Sequence, residues 1–411
     1  MDIEQFNNWW FEKKINKELV LDFKRDIYYE LKNSLNNKFI LAIVGLRRVG
    51  KTTILYQLID YLIKKQTPTK NILFFSFDEY IKEFSEVLNK YKELHNLDFR
   101  KEKIYLFLDE IQKCPNWENE LKKTYDLYPK IKIIISGSES LFIRKRNKET
   151  LAGRLFEFNV KSLSFKEYLS IKGIKKENFK YETIINPILL EYIEKGAFPE
   201  TINLNEKQYY EYIKSLLLDK IIYKDIPHSY NITDAQFLNT LLELIAYNPG
   251  MYIDYYSLSK QYNKDRRTIK QYLEYLEKSF LIKIITNYRK GSSSLRKLKR
   301  VYLTDNALIK VFKRKIEPDF KGKMVENLCI NHFNAKHFWK NSKEVDLIHE
   351  NIPIEIKYRE QTRNEDFKAV LAFMKKFKIK KEIKITKNID KEIIKDEKKI
   401  NLISLRRLLL K

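Results

Sequence analysis

The chain has 411 residues, 44% of them hydrophobic and 14% aromatic, which excludes a disordered polymer and predicts two to four packed domains. Lys and Arg number 80 against 55 Asp and Glu, a net charge of +25 that fits either nucleic-acid partners or a generally lysine-rich surface. The longest apolar run, residues 39–44, falls far short of the roughly 18 residues that cross a bilayer. MDIEQFNNWW lacks the pattern of a secretion signal, and Cys114 and Cys329 have no CxxC partner. The expectation is a cytoplasmic protein with no membrane partner and no disulfide.

Residues 1–37 predict an aromatic-rich helical segment. Residues 39–44 (FILAIV) then read as a buried parallel strand. Gly45 to Thr52 fit G-x-x-x-x-G-K-[ST], and an apolar-periodic helix from Ile54 to Ile63 follows, so strand, loop and helix come in the order the motif needs. Backbone N–H groups of Gly45, Leu46, Arg47, Arg48, Val49, Gly50 and Thr53 would surround phosphates at the helix start. Lys51 would neutralise the β and γ oxygens, and the Thr52 hydroxyl would ligand Mg²⁺.

Residues 71–77 (NILFFSF) predict a second strand, and IYLFLDE at 104–110 a third that ends in adjacent acids. Asp109 is placed to hold Mg²⁺, and Glu110 either polarises the attacking water or is an acid at a helix start. Residues 132–136 (KIIIS) form a further strand leading into Ser136-Gly137-Ser138, where Ser136 or Ser138 would sense the γ-phosphate or simply make a turn. In LAGR, Arg154 precedes another strand. It would neutralise transition-state charge in cis or from a neighbouring copy in a homo-oligomer, or be a surface residue.

In this order, GLRRVGKTT, LFLDEIQ, IISGSES, LAGR and GAFPE (196–200) resemble the archaeal-type ATPases related to the AAA and STAND groups. That resemblance implies binding and hydrolysis of Mg-ATP by an α/β core at 38–165 with a P-loop NTPase parallel sheet. It also implies that Arg25 and the aromatic segment pack over the nucleotide base.

Helical periodicity covers 166–232, the pattern of a lid. Thr233-Asp234 predicts a helix cap, and Asn248-Pro249-Gly250 a break. SLSKQYNKDRRTIKQYLEYLEK then reads as helix, turn, helix, with Arg266, Arg267 and Thr268 at the end that enters a major groove in helix-turn-helix proteins. Two strands joined by a Gly-Ser loop follow. Segment 233–312 is thus predicted to be a winged helix, with Arg289, Lys290, Arg296, Lys297, Lys299 and Arg300 as a basic run offered to phosphates, or else a protein-contact module.

Segment 318–411 carries EVDLIHENIPIEIKYR at 344–359. If Glu350 and Asn351 make a two-residue turn, Asp346 lies opposite Glu355 on one face with Lys357 one pleat along, while Val345, Leu347, Ile354 and Ile356 face the core. Two opposed carboxylates need a compensating cation. Helix Glu326, strand Asp346 and Glu355-x-Lys357 resemble the PD-(D/E)XK nuclease fold, with Val-Asp in place of Pro-Asp. The resemblance implies that Asp346, Glu355 and Glu326 hold Mg²⁺ and that Lys357 orients water or stabilises the phosphorane. The reading is an ATPase acting on nucleic acid with a C-terminal α/β nuclease-like domain. The alternative is a nucleotide-dependent switch whose C-terminal modules bind proteins.

Overall fold

The computed structural model describes residues 3–78, 83–138, 150–289, 298–361, 363–395 and 398–411. The chain forms two units, Met1–Lys161 and Ser162–Lys411.

The first unit holds helices α1 (Trp9–Glu12), α2 (Asp26–Ser34), α3 (Lys51–Lys64), α4 (Phe84–His95) and α5 (Trp117–Leu127). Five parallel strands, β1 (Ile40–Val44), β2 (Ile72–Ser76), β3 (Ile104–Asp109), β4 (Ile131–Gly137) and β5 (Leu155–Asn159), run in the order β2-β3-β4-β1-β5. β1, β3 and β4 are buried end to end, as parallel strands covered on both faces must be. This α/β sheet matches the P-loop NTPase fold.

The open edge at β2 is closed by the N-terminal segment. The Asn7 amide donates to the Phe74 carbonyl (2.9 Å) and accepts from its N–H (2.7 Å), and the Trp9 and Trp10 indoles both donate to the Ile72 carbonyl. These aromatics therefore blunt a sheet edge that would otherwise invite another strand, rather than covering a nucleotide base. Lys132 is buried among the isoleucines of β4. Its Nζ donates to the carbonyls of Ser34, Asn37 and Phe39, gathering the chain between α2 and β1.

In the second unit, helices α6 (Phe165–Ile171), α7 (Glu182–Lys195), α8 (Glu206–Glu211) and α9 (Ile226–Tyr230) come first, with π-helical stretches at Tyr212–Leu218 and Ile221–Asp225. Gly196 ends α7 at φ 72°, where a Cβ would lie 1.9 Å from a carboxylate oxygen of Asp305. That buried carboxylate accepts from the Ala197 N–H (3.3 Å) and the Ala307 N–H (2.7 Å). The Gly of GAFPE is thus a structural requirement.

Next come α10 (Ala235–Tyr247), β6 (Met251–Tyr252), α11 (Tyr255–Tyr262), α12 (Arg266–Lys278), β7 (Ile282–Asn287), β8 (Lys299–Leu303) and α13 (Asn306–Phe312). Asp234, Asp254, Asp265 and Asp305 cap α10, α11, α12 and α13 with their side chains, so each helix starts where the sequence places a capping residue. The remainder is α14 (Lys321–His332), β9 (His337–Lys340), β10 (Glu344–His349), β11 (Ile352–Lys357), α15 (Lys368–Phe377), β12 (Lys381–Thr386), β13 (Lys391–Lys395), β14 (Lys398–Ser404) and α16 (Leu405–Leu409).

Nine strands form one sheet in the order β13-β14-β12-β11-β10-β9-β7-β8-β6. The interval between the predicted segments 233–312 and 318–411 is therefore no break in the sheet. β7 pairs in parallel with β9 through Thr286–His337 and Asn287–Phe338, and the Asn287 side chain exchanges two 2.9 Å bonds with the Lys340 backbone. Trp339, Val345, Phe373 and Met374 bury α15 against β9 and β10.

Candidate functional sites

The loop from β1 to α3 is shaped by close approach. A Cβ on Gly45 would sit 2.2 Å from the Val160 carbonyl oxygen, Arg48 has φ 63° and Gly50 has φ 94°. Within this loop Lys51 is buried, and its Nζ donates to the carbonyls of Gly45 (3.1 Å) and Leu46 (3.0 Å). Thr52 Oγ1 donates to Asp109 Oδ2 at 2.8 Å, and the Ser136 hydroxyl donates to the other oxygen of the same carboxylate. Burial and the adjacent Glu110 push the Asp109 carboxyl up, against the hydrogen bonds of Ser136 and Thr52 and the charge of Lys51. A buried carboxylate beside a threonine hydroxyl and a lysine at a helix N-terminus is a donor set that fits a magnesium nucleotide.

Glu110 stands at φ 51°, which turns its side chain away from the strand direction. Its Oε2 accepts from the Ser138 hydroxyl (3.0 Å) and the Gln112 amide, and that amide also reaches Ser138 (3.2 Å). Ser138 serves the Glu110 carboxylate, while Ser136 donates to Asp109 and accepts from the Glu110 N–H at 3.4 Å. Arg25 donates to the carbonyls of Val49 (2.9 Å) and Lys161 (2.8 Å), bracing the loop from outside.

The C-terminal hairpin has the expected register. Leu347 faces Ile354 and His349 faces Ile352, with Glu350 (φ 49°) and Asn351 (φ 65°) as the two-residue turn. Carried one pair further, that register would set Asp346 opposite Glu355, although β10 is irregular between Val345 and Ile348. Asp346 Oδ2 accepts from the Ile356 N–H (2.7 Å) and lies 3.9 Å from Lys357 Nζ, which also pairs with Glu355 Oε1. Glu355 is buried and its Oε2 has no hydrogen-bond partner. Burial and Asp346 push its carboxyl up to about 8, against Lys357.

Glu326 departs from expectation. Its Oε1 accepts from Arg300 Nη2 and the Tyr302 hydroxyl, both at 2.7 Å, and Arg300 Nη1 lies 3.1 Å from Glu344. Burial and the charge of Asp346 push the Glu326 carboxyl up, against Arg300, Tyr302 and Lys357, and among the described residues no three His, Cys, Asp or Glu side chains are grouped to hold a metal ion. Asp346 and Glu355 remain, and their opposition with an orphaned oxygen fits Mg²⁺, which keeps several waters and takes one or two carboxylates.

Beside this pair, Lys384 on β12 faces Glu355 on β11. Its Nζ is fully buried, has no hydrogen-bond partner and sits 3.7 Å from Asp366. Glu382 is fully buried with both oxygens unpartnered, and burial raises its carboxyl to about 7. Sequence reading missed this ladder, although the repeat of Glu355-Ile-Lys357 as Glu382-Ile-Lys384 signals it.

The raised carboxyl of Glu382 has a consequence for stability. Its folded value lies above the unfolded 4.5, so folding is penalised increasingly as pH rises from about 4.5 to about 7. Glu382→Gln is expected to remove that slope. It should stabilise the protein by about 1–3 kcal/mol at pH ~8 and change little at pH ~4.5, read as urea midpoints in chelator. A loss of stability at the higher pH would refute the assignment.

A family model described as an AAA domain matches residues 37–169. The chain carries an AAA domain of the P-loop ATPase class. A second model, a domain of unknown function, matches residues 186–317. An uncharacterized protein of Haemophilus influenzae is 28% identical over 281 residues, covering 66% of this chain and 68% of that one. An uncharacterized protein of Methanocaldococcus jannaschii is 31% identical over 316 residues, covering 71% and 65%. Among solved structures, the Orc1 protein of Aeropyrum pernix in complex with DNA aligns with a TM-score of 0.36 and 11% identity, over 75% of this chain and 96% of that one.

The AAA domain places Arg154 away from its own phosphate loop. Arg154 precedes β5, whose Leu155 pairs with Ile40, whereas the loop follows Val44 at the other end of β1. Five residues at roughly 3.3 Å each separate the two ends by about 16 Å. Arg154 instead forms a two-point pair with Asp126, at 2.9 and 3.2 Å.

Of the basic residues expected to face phosphates, Arg266, Arg267 and Arg289 are exposed, while Lys290, Arg296 and Lys297 lie outside the described residues. Arg300 turns inward to Glu326, because alternate residues of β8 point to opposite faces. No helix among the described residues is long and apolar enough to cross a membrane.

Proposed function

We propose that the protein hydrolyses Mg-ATP and couples this to work on nucleic acid. The observation that carries the hydrolytic reading is the convergence of Thr52 and Ser136 on buried Asp109 beside Lys51. Lys51 and the loop N–H groups hold the phosphates, Thr52 and Asp109 hold Mg²⁺, and Glu110 orients the attacking water once Ser138 and Gln112 release it. Magnesium held there would supply charge neutralisation to the phosphates. Arg154 would serve only the phosphate of a neighbouring copy in a homo-oligomer.

The order α10-β6-α11-α12-β7-β8 supports a winged helix at 233–312, following a helical lid at 166–232. The order α14-β9-β10-β11-α15-β12 supports a nuclease-like domain at 318–411. Asp346 and Glu355 would hold Mg²⁺, which would lower the pKa of bound water and clamp a phosphodiester. Lys357 would stabilise the developing charge.

One observation favours a second reading, a nucleotide-dependent switch with a binding-only C-terminal domain: Arg300 and Tyr302 already hold Glu326. Cleavage of plasmid and single-stranded DNA in Mg²⁺, with and without ATP, separates the two. The nuclease reading expects cleavage that falls about 10²-fold or more in Lys357→Ala. No cleavage under any condition selects the switch.

A further inference from the structure

Between β6, the start of α11 and the start of α12 lies an open concavity of about 770 Å³, within the size range of ligand sites. Tyr252, Tyr255 and Tyr256 line it on one side, and Arg266, Arg267 and Lys270 on the other. Tyr256 is 48% exposed, so its ring is accessible to a ligand. The rings have cations beside them: Arg266 sits 4.8 Å and Lys260 4.4 Å from the Tyr256 centroid, and the Tyr255 hydroxyl accepts from Lys299 Nζ at 3.3 Å.

The charges are poised differently. Asp254, the acid in the lining, spends its carboxylate on the Tyr256 and Ser257 N–H groups and the Ser257 hydroxyl. Among the described residues Arg267 has no ion pair, and the acid paired with Lys270 is Glu274 at 3.8 Å. Exposed aromatic rings set beside these cations, of which Arg267 is left without an ion pair among the described residues, match a ligand that has both a flat ring and a phosphate.

We propose that this concavity binds single-stranded nucleic acid, with an unpaired base stacking against Tyr256 and the flanking phosphates meeting Arg267 and Lys270. A duplex presents base edges and keeps its base faces inside the stack, so it cannot use exposed tyrosine rings. An unpaired strand can. The start of α12 is therefore a single-strand site and not a reader of a duplex major groove. This inference rests on the nucleic-acid reading above and narrows it.

The test is fluorescence anisotropy of the full chain with a labelled thymidine oligomer of about 20 nucleotides and with a duplex of equal length, across a salt series. The wild type is expected to bind the single strand about tenfold or more tightly than the duplex. Tyr256→Leu should weaken single-strand binding about 5- to 50-fold, while Tyr256→Phe retains it. Arg267→Gln with Lys270→Gln should weaken binding and flatten the salt dependence by roughly one counterion or more. All these side chains are exposed, so an unchanged unfolding midpoint checks that each variant folds. Duplex binding that equals or exceeds single-strand binding, indifferent to Tyr256→Leu, overturns this inference and leaves the nucleic-acid reading standing. Binding to neither probe overturns both.

Discussion

Glu110→Gln is expected to lower ATP turnover about 10²- to 10⁴-fold while nucleotide still binds, and Lys51→Ala to remove binding itself. The two substitutions act at different places in one site. Lys51 is buried inside the loop, its ammonium already held by the Gly45 and Leu46 carbonyls, so its loss removes the charge that phosphate oxygens meet there. Glu110 contributes a carboxylate that can accept a proton from water, and Gln keeps its size and its bonds to Ser138 and Gln112 without that capacity. Phosphate release and the thermal shift caused by Mg-ATP, measured on the same preparations, separate binding from turnover. Unchanged turnover in Lys51→Ala would remove the catalytic assignment of the whole first unit.

Gly196→Ala should destabilise the second unit by about 3–6 kcal/mol, a large part of the 5–15 kcal/mol that holds a typical domain together. The backbone there has φ 72° and ψ −159°, a region that only glycine occupies without strain. A methyl group would also fall 1.9 Å from an Asp305 oxygen and 2.5 Å from the Ala307 nitrogen. Asp305 cannot withdraw cheaply, since it is buried and satisfies the N–H groups of Ala197 and Ala307. Gly173→Ala is the internal comparison. It has φ 77° with nothing within 4 Å of the added carbon, so strain acts alone and the cost should be about 1 kcal/mol. Equal urea midpoints for the two variants would show that the contact with Asp305 carries no weight.

These two sites differ in how far the sequence discloses them. The phosphate loop is legible because its chemistry is local: one strand, eight residues and one helix start contain it. The hairpin at 344–357 is legible for the same reason, its register following from a two-residue turn and the pleat. What could not be read depends on partners distant in sequence. Nothing near Gly196 announces Asp305, and Arg300 looks like one more member of a basic run until Glu326 is set beside it. Lys132 resembles a surface lysine in KIIIS, although it is buried and serves three carbonyls. Arg154 is next to a strand in either view, and only parallel pairing of β5 with β1 reveals at which end it stands.

The pairing of β7 with β9 has a consequence for how the second unit comes apart. A boundary drawn from sequence near residue 315 cuts through one continuous nine-stranded sheet, so the segments on either side share a melting event and cannot loosen one at a time. Recombination or truncation at that point would strand β7 with an unpaired flank and the Asn287 amide with no backbone to bind.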